Sequence, residues 1–392
     1  MQKRFIVAAL SFLLAACASM TGPQPPPAAV AVMFDRDTVR PVIVEGVADR
    51  ETGRPVAATD PVRIASISKL VMALAAMRLV DEGKVDLDRD VSDYLGWQVR
   101  SPGFPDAPVT LRQLMMHRAG LRDAAGYVIP LSESLRAKLA EPDAWYSYAP
   151  PGRAPFEYAN LGSPVVATVL EAATGERFDR LVERTVFAPL GVTACFNWIG
   201  CPQEFADSAV TLYRSTGEVA RDDAADRPPN CTFPVAEGSE CSLAGYVPGT
   251  NASIFSPQGG VRISMSDLAK IGQVLFASDG GFLSQGTRGE FLRGDPPIEG
   301  NAPFFCFYGL HPQTLYPGLT GCKDDLFPDT IRRVGHAGEA YGLRSGLWLD
   351  LRRGEGLAYF VTQVPDRQTA QEGGFSPEEI AFVRRAMKAV GE

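Results

Sequence analysis

Strand-forming segments lie near both ends of this 392-residue chain, and helix-forming segments fill its middle. Residues 29–35 ("AVAVMFD") and 41–48 ("PVIVEGVA") are short β-rich runs joined by a polar turn, which is typical of a hairpin. Towards the C-terminus, "IRRVGH", "LRSGLWLD" and "GLAYFVTQV" predict three more strands. We therefore predict an α+β fold, with an antiparallel sheet built from N- and C-terminal strands and flanked by helices.

The predicted helices show apolar spacing of three and four residues, and most of them end at a glycine. They cover residues 66–83, 110–121, 161–175, 264–280 and 376–390. From about 190 to 255 the sequence is irregular and contains four cysteines. We predict one domain over 29–392, in which a mostly helical and irregular lobe, about 85–255, is inserted into the α/β lobe. The cleft between the two lobes is the expected ligand site.

The first 16 residues have the features of a signal peptide. Lys3 and Arg4 precede an apolar run, "FIVAALSFLLAA", that is too short for a transmembrane span. The run ends in "LAAC", which resembles the bacterial lipobox and implies cleavage before Cys17 and acylation of that cysteine; Ala18 favours the outer membrane. We expect a lipoprotein on the periplasmic side of a bacterial envelope, with 17–28 as its lipidated tether. A soluble secreted protein is the alternative.

Six cysteines remain after Cys17, and an even number in an exported chain indicates disulfides. Fifteen pairings are possible for six cysteines, but these six fall as neighbours in sequence. The predicted pairs are Cys195–Cys201, Cys231–Cys241 and Cys306–Cys322. Zinc is a poor alternative because no CxxC occurs and the three histidines are not at ligand spacing.

The formal net charge is −8, and the sequence has no run of lysine or arginine. Proteins that bind nucleic acid normally carry a basic patch or stripe, so we expect no nucleic-acid partner. We also expect no metal ion and no cofactor.

The apolar run of 66–83 ("SISKLVMALAAMRLVDEG") begins with Ser66 and carries Lys69 three positions later. On an α-helix, residues three apart share a face, with Cβ atoms about 5–6 Å apart. Burial beside an apolar helix lowers the pKa of a lysine, which can then accept the proton of a hydroxyl. The pair therefore predicts an activated serine. In the alternative, Ser66 only caps the helix and Lys69 reaches solvent.

Two further motifs follow in the chain, Tyr-x-Asn at 158–160 and His-x-Gly at 336–338. The order Ser-x-x-Lys, Tyr-x-Asn, His-x-Gly resembles the serine β-lactamase-like and penicillin-binding-protein-like superfamily. Its members include class C β-lactamases, D-alanyl-D-alanine carboxypeptidases and family VIII esterases. The resemblance covers about residues 30–365, and includes "TLRQLMMHRAGL", "FAPLGV" and "SPQGGVRISMSDLAKI". It implies a β-lactamase/transpeptidase-like fold.

The resemblance implies catalytic roles for the residues of the first two motifs. Ser66 would be the nucleophile that accepts the acyl group. Lys69 and Tyr158 would share the proton transfers, and the sequence does not indicate which of them is the base in acylation. Asn160 would orient the substrate amide or Lys69.

The third motif contributes to substrate binding in this family. The backbone N–H groups of Ser66 and of Glu339, which follows Gly338, would form the oxyanion hole. His336 would line the cleft opposite the tyrosine. β-Lactamases usually have Lys-Thr-Gly here, so His336 and Ala337 remove a cation and a hydroxyl that bind the β-lactam carboxylate. Glu339 stands where a small residue is common, and it would crowd or charge the cleft.

These departures favour an esterase-like serine hydrolase that cleaves ester or amide bonds of small substrates or peptides through a Ser66 acyl-enzyme. A peptidoglycan D,D-carboxypeptidase is the second hypothesis, and an efficient β-lactamase is the third. From a different class, a lipid-anchored binding protein with an inactive cleft is the alternative that the retained motif residues disfavour. We expect a narrow apolar cleft for esters and a cationic cleft for peptides that bear a carboxylate.

Overall fold

The computed structural model describes residues 25–220, 231–277, 280–294, 304–365 and 374–391. The predicted signal peptide, Cys17 and most of the predicted tether lie outside these residues. Among the described helices, none combines the length and the hydrophobicity that a bilayer crossing requires.

The described residues form the following strands and helices. The strands are β1 (Ala29–Asp35), β2 (Val39–Glu45), β3 (Val47–Asp49), β4 (Arg54–Pro55), β5 (Val62–Arg63), β6 (Ala194–Phe196), β7 (Val261–Ile263), β8 (Phe307–Tyr308), β9 (Gln313–Leu315), β10 (Arg333–Ala340), β11 (Leu343–Asp350) and β12 (Glu355–Val361). The α-helices are α1 (Ile67–Asp81), α2 (Ser92–Leu95), α3 (Leu111–Met115), α4 (Leu135–Leu139), α5 (Gly162–Thr174), α6 (Phe178–Val182), α7 (Ala188–Leu190), α8 (Gln203–Asp207), α9 (Met265–Gln273), α10 (Gln285–Phe291) and α11 (Pro377–Gly391).

The main sheet has seven strands in the order β2-β1-β12-β11-β10-β9-β8, and all neighbours are antiparallel. β1 pairs with β12 along its whole length, from Ala29 opposite Val361 to Asp35 opposite Glu355. N-terminal and C-terminal strands therefore share one sheet, and the predicted α+β fold is confirmed.

Alternation along β1 places its side chains in two separate cores. Val30, Val32 and Phe34 belong to the larger core, which also contains α1, α5 and α9. Ala31 and Met33 belong to the smaller core, which α11 covers. Apolar side chains on both faces explain why β1 reads as an unbroken hydrophobic run rather than as an alternating one.

Three predicted elements differ from the structure. The predicted helix at 264–280 is shorter, because α9 ends at Gln273. The predicted strand at 41–48 is divided into β2 and β3, because Gly46 has φ +87° and an added Cβ there would collide with the backbone of Pro27. The predicted helix at 110–121 is wrong in its second half. α3 ends at Met115, and His117 adopts φ 54°, a left-handed conformation that stops a helix.

A three-stranded sheet, β5-β7-β6, leads the chain into the start of α1. Its outer strand β6 contains Cys195, which is bonded to Cys201. The other two disulfides are Cys231–Cys241 and Cys306–Cys322, so all three join the pairs expected from sequence. The boundaries of the inserted lobe remain a prediction.

Candidate active site

Ser66 lies at the start of α1, and two residues separate it from the short strand β5. Ala65 before it has φ 47°, an uncommon conformation for alanine that turns the chain sharply into the helix. Ser66 occupies the N-cap position but its side chain makes no capping hydrogen bond. The structure therefore does not contain the alternative arrangement, in which Ser66 only caps the helix. The hydroxyl of Ser66 is available for other contacts.

Lys69 is fully buried, with 0% exposure, so its amine does not reach solvent. Nζ donates to Ser66 Oγ at 3.1 Å, to Asn160 Oδ1 at 2.8 Å and to the carbonyl oxygen of Gln258 at 3.0 Å. Burial lowers the pKa of Lys69 from 10.5 to about 7, although the negative charge of Asp123 acts to raise it. The neutral form of Lys69 is therefore accessible near neutral pH.

The neutral form of Lys69 has two N–H groups and one lone pair. The carbonyl oxygens of Asn160 and Gln258 accept hydrogen bonds only, so in this form they occupy both N–H groups. The remaining lone pair then faces Ser66 Oγ. The environment of the amine thus directs its basic site at the serine hydroxyl.

Tyr158 lines the same cleft as Ser66, and Lys69 Nζ lies 4.7 Å from the centroid of its ring. Its ring is held between His117, at a centroid distance of 4.5 Å, and Phe305, which is stacked on it at 4.6 Å. His117 Nδ1 also accepts a hydrogen bond from the backbone N–H of Ala159. Burial raises the pKa of Tyr158 above 10, so its phenol stays protonated at neutral pH.

Asp123 fixes the amide of Asn160. Asn160 Nδ2 donates to one carboxylate oxygen of Asp123 at 2.9 Å, and the backbone N–H of Leu161 donates to the other at 2.9 Å. This contact leaves the amide oxygen of Asn160 directed at Lys69. Asp123 lies in a short 3₁₀ turn after α3 and therefore connects the Tyr-x-Asn segment to the rest of the helical region.

The third motif lies on β10, whose edge borders the cleft. β9 pairs with β10 only over Arg333–Gly335, so from His336 onward this edge is not covered by β9. An added Cβ at Gly338 would collide with the carbonyl of Ile64 and with Ser345. Only glycine therefore lets this strand approach the segment that carries Ser66.

The backbone of Glu339 has the orientation expected of an oxyanion donor. A two-residue turn, Tyr341–Gly342, joins β10 to β11, and both turn residues have positive φ, as in a type I′ hairpin. Hydrogen-bonded pairs alternate along an antiparallel ladder, starting from the pair that closes the turn. Glu339 therefore falls in a non-hydrogen-bonded pair with Arg344, and its N–H points away from β11.

His336 is 1% exposed and borders the cleft beside Tyr158, with ring centroids 6.3 Å apart. Its Nε2 is 2.9 Å from the hydroxyl of Tyr308, and its Nδ1 is 2.5 Å from its neighbour's carbonyl oxygen. Burial, and then the charge of Lys69, lower the pKa of His336 to about 3. The imidazole is therefore neutral and does not replace the lysine of Lys-Thr-Gly.

The charge that Glu339 brings to the cleft is paired. Its carboxylate lies 2.9 Å from Arg344 on the neighbouring strand. The Arg344 side chain is buried, whereas that of Glu339 is 45% exposed. Glu339 thus covers a cation that would otherwise face the cleft directly.

A cleft of about 870 Å³ joins these residues, and both Ser66 and Tyr158 line it. Besides the motif residues, its walls contain four phenylalanines and two arginines. These are Phe156, Phe304, Phe305, Phe375, Arg63 and Arg344. Sequence reasoning did not identify these six residues, nor Asp123, because no short motif contains them. Among the described residues, no group of three or more His, Cys, Asp or Glu side chains could hold a metal ion.

Comparison with known proteins places this geometry in one family. The family model described as "Beta-lactamase" matches residues 18–376. The D-amino acid amidase from Ochrobactrum anthropi SV3 superposes with a TM-score of 0.66 at 19% sequence identity, covering 93% of this chain and 94% of that one. At that identity, the likeness shows a shared fold.

Two curated relatives are more similar in sequence over shorter regions. Esterase EstB of Burkholderia gladioli is 32% identical over 181 residues, 41% of this chain and 45% of the relative. The D-alanyl-D-alanine-carboxypeptidase/endopeptidase AmpH of Escherichia coli (strain K12) is 32% identical over 139 residues, 33% of this chain and 35% of the relative. The matched region thus spans less than half the length of either relative.

Proposed function

The chain belongs to the beta-lactamase family of serine hydrolases, and we propose that it hydrolyses small carboxylic esters through an acyl-enzyme on Ser66. The observation that carries the proposal is the contact of a fully buried Lys69 amine with Ser66 Oγ at 3.1 Å. A base with a pKa near the working pH is the most effective one for activating a hydroxyl.

In the acylation step, Lys69 takes the Ser66 proton while Oγ attacks the ester carbonyl carbon. The carbonyl oxygen becomes an oxyanion, which the backbone N–H groups of Ser66 and Glu339 stabilise; losing one such donor typically costs about 10²–10³ in rate. Lys69 rather than Tyr158 acts as the base, because the phenol of Tyr158 is protonated at neutral pH.

The alcohol then leaves as the tetrahedral intermediate collapses. Tyr158 gives its proton to the leaving oxygen and receives the proton that Lys69 took, so both side chains return to their starting states. Water next attacks the acyl-enzyme, with Lys69 accepting the water proton and returning it to Ser66 Oγ. The products are one alcohol and one carboxylic acid.

Three features of the cleft favour esters over peptides that end in a carboxylate. His336 is neutral and held by Tyr308, and Glu339 already pairs with Arg344. Four partly exposed phenylalanines supply an apolar wall. A D,D-carboxypeptidase remains the second candidate, supported by Arg63 and Arg344 in the cleft and by the similarity to AmpH.

A substrate panel tests the proposal. The parent, Ser66→Ala and a control, Ser147→Ala at an exposed serine, are assayed with p-nitrophenyl butyrate, a pentapeptide muropeptide and nitrocefin. We expect the parent and the control to hydrolyse the ester. Ser66→Ala should lower the rate of ester turnover by at least about 10³. D-alanine release that is faster than ester turnover would make the carboxypeptidase the better assignment. An absence of turnover on all three substrates would favour the binding-protein hypothesis.

We further propose that lipid on Cys17 holds the enzyme on the periplasmic side of the outer membrane. The lipobox-like "LAAC" supports this proposal. Multiple acyl chains bind a bilayer stably, at about 0.8 kcal/mol per buried methylene. Palmitate labelling of the parent but not of Cys17→Ser, followed by membrane fractionation, tests it. Equal labelling of both proteins would contradict it.

A further inference from the structure

Four phenylalanines from three separate segments form a continuous row of rings along one wall of the cleft, called here the aromatic shelf. The row runs Phe156–Phe305–Phe304–Phe375, with successive centroid distances of 5.8, 4.9 and 5.0 Å. All four side chains line the cleft and are only partly buried. Contiguous aromatic surface that remains open to solvent in a cleft is typical of a ligand subsite.

The shelf begins at the proposed proton donor. Phe305 is stacked on Tyr158, with ring centroids 4.6 Å apart and planes 6° from parallel. Because Tyr158 gives its proton to the leaving oxygen, that oxygen must lie within hydrogen-bond reach of the phenol. The carbon skeleton attached to it then lies beside Tyr158, whose ring is stacked on the shelf residue Phe305. The shelf therefore contacts the alcohol part of the substrate rather than the acyl part.

The opposite end of the cleft has different chemistry. β10 runs along the cleft from His336, beside the shelf, past Gly338 at the nucleophile, to Tyr341 at the hairpin turn. Five residues of extended chain cover roughly 16 Å, so the two ends are well separated. Arg63 lies against the Tyr341 ring, 5.4 Å from its centroid, at the far end.

The histidine beside Tyr158 does not attract an anionic leaving group. His336 is neutral and its Nε2 is 2.9 Å from the hydroxyl of Tyr308. A D-alanine leaving group would bring its own carboxylate to this end. A neutral group needs no cationic partner there, and a rigid ring loses less conformational freedom on binding than an alkyl chain.

We propose that the aromatic shelf is an alcohol-side subsite that selects esters of aryl-methyl or related neutral aromatic alcohols. The inference rests on the proposed ester hydrolysis and names the substrate class for it. Stacked or edge-to-face contacts with a row of rings favour an aromatic group over a saturated one of equal size. The released product is an aromatic alcohol, and the acyl group remains on Ser66 until water removes it.

The test compares three acetate esters that share one acyl group: benzyl, cyclohexylmethyl and ethyl acetate. kcat/KM is measured for the parent, Phe304→Ala, Phe304→Leu and a control, Phe282→Ala, which removes a partly buried phenylalanine that packs against Arg78 outside the cleft lining. Phe304 is chosen because its ring contacts in the shelf are to Phe305 and Phe375, not to Tyr158.

We expect the parent and Phe282→Ala to prefer benzyl over cyclohexylmethyl acetate by about threefold to tenfold. Phe304→Ala and Phe304→Leu should each bring that ratio close to one, with Phe304→Leu retaining the preference for cyclohexylmethyl over ethyl acetate. If the parent hydrolyses all three esters without a benzyl preference, the shelf assignment is wrong while the ester hydrolase stands. If the parent hydrolyses no ester, both proposals are wrong.

Discussion

Lys69 Nζ and Ser66 Oγ lie 3.1 Å apart on the first turn of a helix whose lysine is fully buried. A solvated lysine would be protonated at neutral pH, but burial lowers the pKa of Lys69 to about 7. The neutral amine is the form that accepts the Ser66 proton, so activity requires loss of a proton from Lys69. The pH dependence of hydrolysis therefore reports on this pair.

The first prediction concerns that pH dependence. kcat/KM for a neutral ester should rise about tenfold per pH unit below pH 7 and level off above it, since it follows the neutral fraction of Lys69 in the free enzyme. Lys69→Arg should lower kcat/KM by at least about 10²-fold, because a guanidinium group stays charged and cannot accept the proton. Lys270→Met, at a lysine paired with Asp267, is the control and should keep the parent profile. A profile that is flat from pH 5 to 9, or that rises only near pH 10, would rule out Lys69 as the base.

The second prediction concerns Asp123 as a positioning residue. Asp123→Asn should lower kcat by about tenfold, because it disturbs the amide of Asn160 that holds the amine. It should also move the inflection of the pH profile downward, since the Asp123 charge raises the pKa of Lys69. A purely structural defect would not shift that inflection.

Asp143→Asn is the matched control for Asp123, because Asp143 is an exposed carboxylate on a neighbouring turn that does not contribute to the Lys69 shift. We expect it to leave both kcat and the inflection unchanged. An Asp123→Asn profile that superposes on the parent profile would refute the positioning role.

The third prediction concerns the Glu339–Arg344 pair. Glu339→Gln should uncover the positive charge of Arg344 and lower KM for an ester that bears a carboxylate, such as a hemisuccinate, by about threefold to fivefold. KM for the corresponding neutral ester should change by less than about twofold, and salt should diminish the difference. Glu45→Gln, which breaks the exposed pair with Arg385 on the sheet edge, is the control. Equal KM changes for the charged and neutral esters would show that the pair does not set charge preference.

Sequence spacing was sufficient where the relevant contacts are local. Ser66 and Lys69 are one helical turn apart, so their proximity follows from helix geometry alone. The three disulfides join cysteines that are neighbours in sequence, with 16 residues as the longest separation. Likewise, strand propensity near both termini predicted the sheet, although the left-handed residues Gly46 and His117 ended elements earlier than the pattern indicated.

Contacts between distant segments were not predictable in the same way. Asn160 and Asp123 are 37 residues apart, and no periodic pattern links them. The aromatic shelf combines Phe156 with residues near 305 and 375, and each of these phenylalanines alone looks like an ordinary core residue. The three histidines are far apart in sequence. The fold nevertheless places the ring centroids of His117 and His311 5.4 Å apart. The hydroxyl of Tyr308 contacts ring nitrogens of both His311 and His336.

Acylation of Ser66 can be measured by intact-protein mass spectrometry after reaction with a fluorophosphonate. The parent and Ser147→Ala should gain one adduct per chain, which peptide mapping places on Ser66, and labelling should slow below pH 7 as Lys69 becomes protonated. Ser66→Ala should remain unlabelled. An adduct on another residue, or labelling of Ser66→Ala at the parent rate, would show that Ser66 is not the nucleophile.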